Sequence, residues 1–210
     1  GGVRVVENIC RSRFAEQLTF ALVAESDLPI TGVTLYHRRA TKPVTTRVVP
    51  EFTPGARIEA QFEKSLERGE IPPGTVIEYY WRLDLADGTR YETDVSRVVY
   101  EDDRFSWQVA EAGKVQLHYY GSVSEGTIRA LTQRGQEALA RLEAQAGVTL
   151  ETSVRVYLYA TEEDMAVALA PRSEGYDDQV VTLGVAVDDD VLLLLQDQPN
   201  SGQTLAHELS

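Results

Sequence analysis

The residues of this chain best placed by type and spacing to do chemistry stand at its carboxyl end: Thr204, Leu205, Ala206, His207, Glu208, Leu209 and Ser210. In the pattern H-E-x-x-H, two histidines one helical turn apart bind Zn²⁺, and the glutamate beside the first activates the metal-bound water. His207 is the expected metal ligand and Glu208 the expected catalytic base. The fifth place of the pattern falls beyond Ser210. A lone imidazole holds zinc weakly, so we expect zinc only in a longer parent protein, and a fragment that is itself inactive. The plainer reading is a helix histidine bonded to backbone, with Glu208 as a solvated neighbour.

Other candidates are weaker. Asp188, Asp189 and Asp190, with Asp177 and Asp178, offer oxygen ligands for Ca²⁺, but they lack the glycine and closing glutamate of an EF-hand loop. Three adjacent carboxylates between strands read more simply as a hydrated turn. His37 and His118 fall in expected strands and read as strand-surface histidines. Tyr79, Tyr80 and Trp81 share one strand, whose alternation puts Tyr80 on the face opposite its neighbours; a sugar platform is one reading, and the more ordinary one, a Trp filling the space between two sheets, makes the three expected core residues. No G-x-S-x-G nucleophile elbow occurs.

Charge narrows the partners. The net charge is −13, with −3 on residues 1–105 and −10 on residues 106–210. Such a field repels phosphate backbones and anionic headgroups, so nucleic acid is not an expected partner. No apolar run approaches the roughly 18 residues of a membrane span. Cys10 is the single cysteine, which excludes an internal disulfide and a thiolate zinc cluster.

The elements that must position these residues change texture midway. Through residue 100, short alternating segments follow one another at Leu18–Ala24, Ile30–Leu35, Thr45–Val49, Ala56–Phe62, Val76–Leu85, Thr89–Thr93 and Val95–Tyr100, with turn signals at Pro72-Pro73-Gly74 and Asp87-Gly88. This predicts an all-β, immunoglobulin- or fibronectin-like sandwich over residues 1–105. Residues 106–210 predict an α+β domain: a strand at Lys114–Tyr119, a long amphipathic helix from Ser124 to Ala146 stopped by Gly147, and a strand at Val154–Tyr159. A helix capped by Thr161 and ended by Pro171 follows, then strands at Val180–Val187 and Val191–Leu195 and a last helix from Gln203.

The chain resembles bacterial, secreted peptidase MA-like proteins, gluzincin-type metalloproteases with a β-sandwich before the catalytic domain. The likeness rests on Phe14–Phe20, Ile30–His37, Pro72–Thr75 with Glu78–Arg82, Glu101–Phe105 leading to Trp107, Val154–Thr161 with Glu162, Glu163 and Asp164, and Thr204–Ser210. It implies a partial zincin-like fold for residues 106–210, a peptide or protein substrate, an extracytoplasmic setting, and the roles of His207 and Glu208 already given. The competing expectation, from another class, is a non-catalytic extracellular binding or adhesion protein whose sandwich is the recognition domain.

Overall fold

The computed structural model describes residues 2–147, 149, 153–170, 185–188 and 190–196. The chain separates into two compact units, one of Gly1–Glu67 with Gly74–Glu101 and one of Arg68–Pro73 with Asp102–Ser210.

The first unit is a β-sandwich built from one curled seven-stranded sheet: β1 (Val3–Arg13), β2 (Gln17–Arg39), β3 (Thr46–Val48), β4 (Gly55–Ser65), β5 (Thr75–Leu85), β6 (Arg90–Glu92) and β7 (Ser96–Tyr100). At 23 residues, β2 is about four times the usual strand length. Its first half pairs with β1 and β4, its second half with β3 and β5. The pairing registers slip between Glu25 and Gly32, around Pro29, which has no N–H to give a ladder. Gly32 lies flat against β5 there; a Cβ on it would meet the Asp84 carboxylate at 2.7 Å.

This bend folds β2 onto itself. Leu18, Phe20, Leu22 and Ala24 are buried along the first half, and Ile30, Val33 and Leu35 along the second. Phe20 packs on His37 and edge-on against Tyr79, so the two halves share one core. In β5 the odd positions are buried and the even ones half-exposed over all 11 residues, which is the period-two pattern of a strand with one wet face. Trp81, fully buried, donates from Nε1 to Asn8 Oδ1 at 3.1 Å, and Asn8 donates to Ser96 Oγ at 3.1 Å. The expected core role therefore holds for Tyr79 and Trp81 but not for Tyr80, which is half-exposed. The Asp87-Gly88 turn forms as its sequence requires: Gly88 has φ +82°, and Asp87 Oδ1 accepts from the Thr89 N–H at 2.9 Å.

The second unit holds a five-stranded mixed sheet in the order β11-β12-β10-β9-β8, from β8 (Gln108–Ala112), β9 (Val115–Tyr119), β10 (Val154–Tyr159), β11 (Val185–Asp188) and β12 (Val191–Leu195). β9, β10 and β12 run parallel, with antiparallel strands at both edges. The helix α1 (Glu125–Ala146) crosses from β9 to β10 and packs Leu131 and Leu139 onto Val115, Leu117, Val154, Val156, Leu158, Leu192 and Leu194. Ser124 caps it by accepting from the Thr127 N–H, and Gly147 at φ +65° ends it. In α2 (Glu162–Ala166), Thr161 accepts from the Asp164 N–H as the capping pattern requires.

Two strands have no counterpart in the sequence pattern: β1, Val3–Arg13, whose charged and branched residues give no clean alternation, and β8, Gln108–Ala112. One expectation needs correction. The partial zincin-like domain is not supported. What the described residues of the second unit show is a strand–helix–strand crossover with antiparallel edges, and the helix expected from Gln203 lies outside them.

Candidate functional site

His207 and Glu208 lie outside the described residues, as do Asp177, Asp178 and Asp189. Asp188 ends β11 and Asp190 is in a turn, where its carboxylate is held by Arg155 at 3.4 Å rather than free for a cation. Among the described residues no group of three His, Cys, Asp or Glu is arranged to hold a metal.

The two strand histidines are not on the surface. His37 and His118 are both more than nine-tenths buried, and Nε2 of each has no hydrogen-bond partner among the described residues. His37 stacks on Phe20 at 5.1 Å and His118 on Tyr157 at 4.5 Å. Both stand where strand alternation alone would allow either face, and the aromatic neighbour on the paired or folded-back strand draws the ring inward. Burial, aided by Arg155, pushes the His118 imidazole down to about 4; burial, aided by Lys64, also lowers His37. Both are neutral at pH 7. Cys10 is half-buried, and burial pushes its thiol up to about 12, which makes it a poor nucleophile.

The described residues bring functional groups together on the wet face of β2 and β5. Cross-strand partners in an antiparallel sheet project to the same face. Tyr36 stands opposite Tyr80, and their rings stack with centroids 4.8 Å apart and planes 9° from parallel. One step along, Arg38 stands opposite Glu78 and Glu78 opposite Arg97. The Glu78 carboxylate takes a hydrogen bond from Arg38 Nε at 2.8 Å, and Arg97 approaches it at 3.6 Å. One step the other way, the Arg82 guanidinium lies 5.7 Å from the centre of the Tyr36 ring.

A pocket of about 210 Å³ opens between these rows. Tyr36, Arg38, Thr45, Glu78, Tyr80 and Val95 line it together with His37 and Tyr79. A pair of near-parallel aromatic rings beside hydrogen-bonding charged groups suits a ligand with an apolar face and a polar rim. Sequence reading located Tyr80 on this face but not its partner; the signal for Tyr36 was the alternation of Val33, Leu35 and His37 on the other side.

A second cluster is structural. The Asp102 carboxylate, fully buried, accepts from Arg104 Nε and Nη2 at 2.9 and 2.7 Å and from the Tyr159 hydroxyl at 2.8 Å. Arg104 also donates to the Asp164 carbonyl, Trp107 Nε1 to the Asp102 carbonyl, and Tyr120 to the Asp164 carboxylate. Phe105 stacks on Tyr120 at 4.0 Å. Every polar group of this knot is occupied by another, which is how a core junction is built rather than a ligand site.

No family model matches the chain, and no curated protein matches it. Among solved structures it is similar to OgpA from Akkermansia muciniphila, catalytically inactive and in complex with an O-glycopeptide substrate: 10% identity, TM-score 0.33, over 47% of this chain and 28% of that one. It is also similar to the carbohydrate-binding module of the muscle glycogen-targeting subunit of protein phosphatase-1, at 11% identity and TM-score 0.35 over 47% of this chain and 76% of that one. A third is a family 56 β-1,3-glucan-binding module, at 18% identity and TM-score 0.29 over 47% and 99%. The chain thus spans under a third of the length of the OgpA structure. The peptidase MA-like resemblance and the zinc-metallopeptidase function drawn from it are corrected: no family model supports them, and the described residues of the second unit do not show a zincin-like domain.

Proposed function

We propose that the sandwich is a non-catalytic recognition module that binds carbohydrate on the wet face of β2 and β5. That reading is carried by the Tyr36–Tyr80 stack. Pyranose rings present patches of C–H groups ringed by hydroxyls, so they bind by lying against aromatic surface while their edges meet charged and amide groups. The two tyrosines, fixed across neighbouring strands, supply such a surface without an ordering cost, because their backbones are held in the sheet. Glu78 and Arg38 stand beside them as acceptor and donor for hydroxyls.

Trp81 does not contribute, since its ring is fully buried and does not line the pocket. The ligand is a glycan, free or carried on a peptide, and an extracytoplasmic setting remains part of the proposal. The test is a glycan microarray probed with the 210-residue chain and with a Tyr36→Ala/Tyr80→Ala variant of unchanged thermal stability. Binding to defined glycans that the variant loses is the expected result; equal binding by the variant, or none by either protein, overturns the reading.

A further inference from the structure

The same face differs in charge from the rest of the molecule. In a chain of net charge −13, the outer rows of β2, β3, β5, β6 and β7 around the tyrosine stack carry Arg38, Arg47, Arg82, Arg90 and Arg97 against Glu78, Asp84 and Glu92. Two of the three carboxylates are already engaged. Glu78 is held by Arg38 and Arg97, and Asp84 by Arg90 at 3.2 Å.

Two of the guanidinium groups are left under-used. Arg47 stands opposite Tyr36 on β3, is exposed, and makes no ion pair among the described residues. Arg82 is mostly buried, and its Nε has no hydrogen-bond partner among the described residues. The nearest carboxylate oxygen, Asp84 Oδ1, stands 3.8 Å away and is taken up by Arg90. A partly buried guanidinium with unmet donors is costly unless something accepts from it. Arg82 is fixed over the Tyr36 ring, and Arg47 lies beside that ring on the neighbouring strand. A sugar seated on the tyrosines therefore lies within reach of Arg47, which has no ion pair among the described residues, and of Arg82, whose one carboxylate partner is distant and shared with Arg90.

From this geometry we infer that the glycan is acidic, with a carboxylate or sulfate group on the sugar that Arg47 and Arg82 meet. The inference rests on the carbohydrate reading and narrows it. Carboxylate and sulfate share the bidentate chemistry that a guanidinium fork recognises. The surrounding negative charge lowers long-range attraction for polyanions in general, which leaves selection to the local pair.

The test measures affinity of the 210-residue chain, by calorimetry at two salt concentrations, for oligogalacturonate, its methyl ester, dextran sulfate and dextran. At least roughly tenfold preference for an acidic sugar over its neutral counterpart is expected, weakening with salt. Oligogalacturonate against its ester reads the carboxylate, and dextran sulfate against dextran reads the sulfate. Arg47→Ala, an exposed substitution that leaves the fold intact, reduces that preference several-fold, and Arg82→Gln does so where its thermal stability is retained. Equal affinity for acidic and neutral members overturns the acidic inference while the carbohydrate reading stands. No binding to any of the four, together with an empty microarray, removes both. Acidic polymers bound equally by the Tyr36→Ala/Tyr80→Ala variant would show charge attraction alone and also overturn the inference.

Discussion

The hydroxyl of Tyr159 donates to the buried carboxylate of Asp102 at 2.8 Å across 57 positions of sequence. Arg104 meets the same carboxylate through two nitrogens, so one anion fastens the entry of the second unit to the end of β10. Removing it in Asp102→Ala leaves a guanidinium and a phenol without their acceptor. The expected loss is on the order of 3 kcal/mol, less than full burial would give because Arg104 keeps some contact with solvent. Tyr159→Phe removes a single hydrogen bond and costs about 1 kcal/mol. Urea denaturation checks both, and equal losses would contradict this division.

Tyr159 also sets an alkaline limit. Burial, with the Asp102 carboxylate beside it, holds its phenol far above the ordinary value of 10. The folded state therefore keeps a proton that the unfolded state releases. The stability gained is complete below pH 10 and is lost as pH rises above it. A Tyr159→Phe variant is expected to lose less stability than the wild type between pH 9 and 11 in thermal melts.

Trp81 links the two layers of the sandwich. It is fully buried on β5 and hydrogen-bonded to Asn8 on β1, a strand with which β5 does not pair. Trp81→Ala opens a large cavity and costs about 3–5 kcal/mol, while Trp81→Phe keeps much of the volume and costs about 1–2 kcal/mol. Denaturant midpoints of the two variants check the order.

His118 makes stability depend on acid. Its imidazole is held neutral by burial, with a pKa of about 4 in the fold against 6.5 ordinarily. Between these values the unfolded chain binds the proton and the folded chain does not, so stability is fully present above pH 6.5 and falls as pH drops toward 4. The span corresponds to a loss on the order of 3 kcal/mol. His118→Phe, which keeps a flat ring against Tyr157, is expected to flatten the decline between pH 6.5 and 4. An unchanged profile would show that other groups govern it.

The regular strands were legible because alternation and turn chemistry act locally. β5, β10 and β12 and the Ser124-to-Gly147 helix fall within a residue of where their patterns put them. The fusion of two expected strands into β2 was not legible: Pro29 reads as a break, whereas here it occupies a slip in register that bends a continuous strand. The tyrosine stack was half legible. Alternation placed Tyr80 on the wet face, but its partner depends on a pairing register that no local pattern states. Asp102 reads as one of three acidic residues at a boundary, and its burial follows from partners 2 and 57 positions away. The motif at His207 and Glu208 was the most conspicuous chemical signal, and no family match supports what it suggested.

The most direct measurement of the carbohydrate reading is a titration of the isotopically labelled chain with a glycan retained on the microarray, followed by amide and aromatic NMR shifts. The account predicts saturable shifts centred on Tyr36, Arg38, Glu78 and Tyr80, with the ring of Trp81 unaffected. Shifts confined to another face, or to residues 102–210, would contradict it.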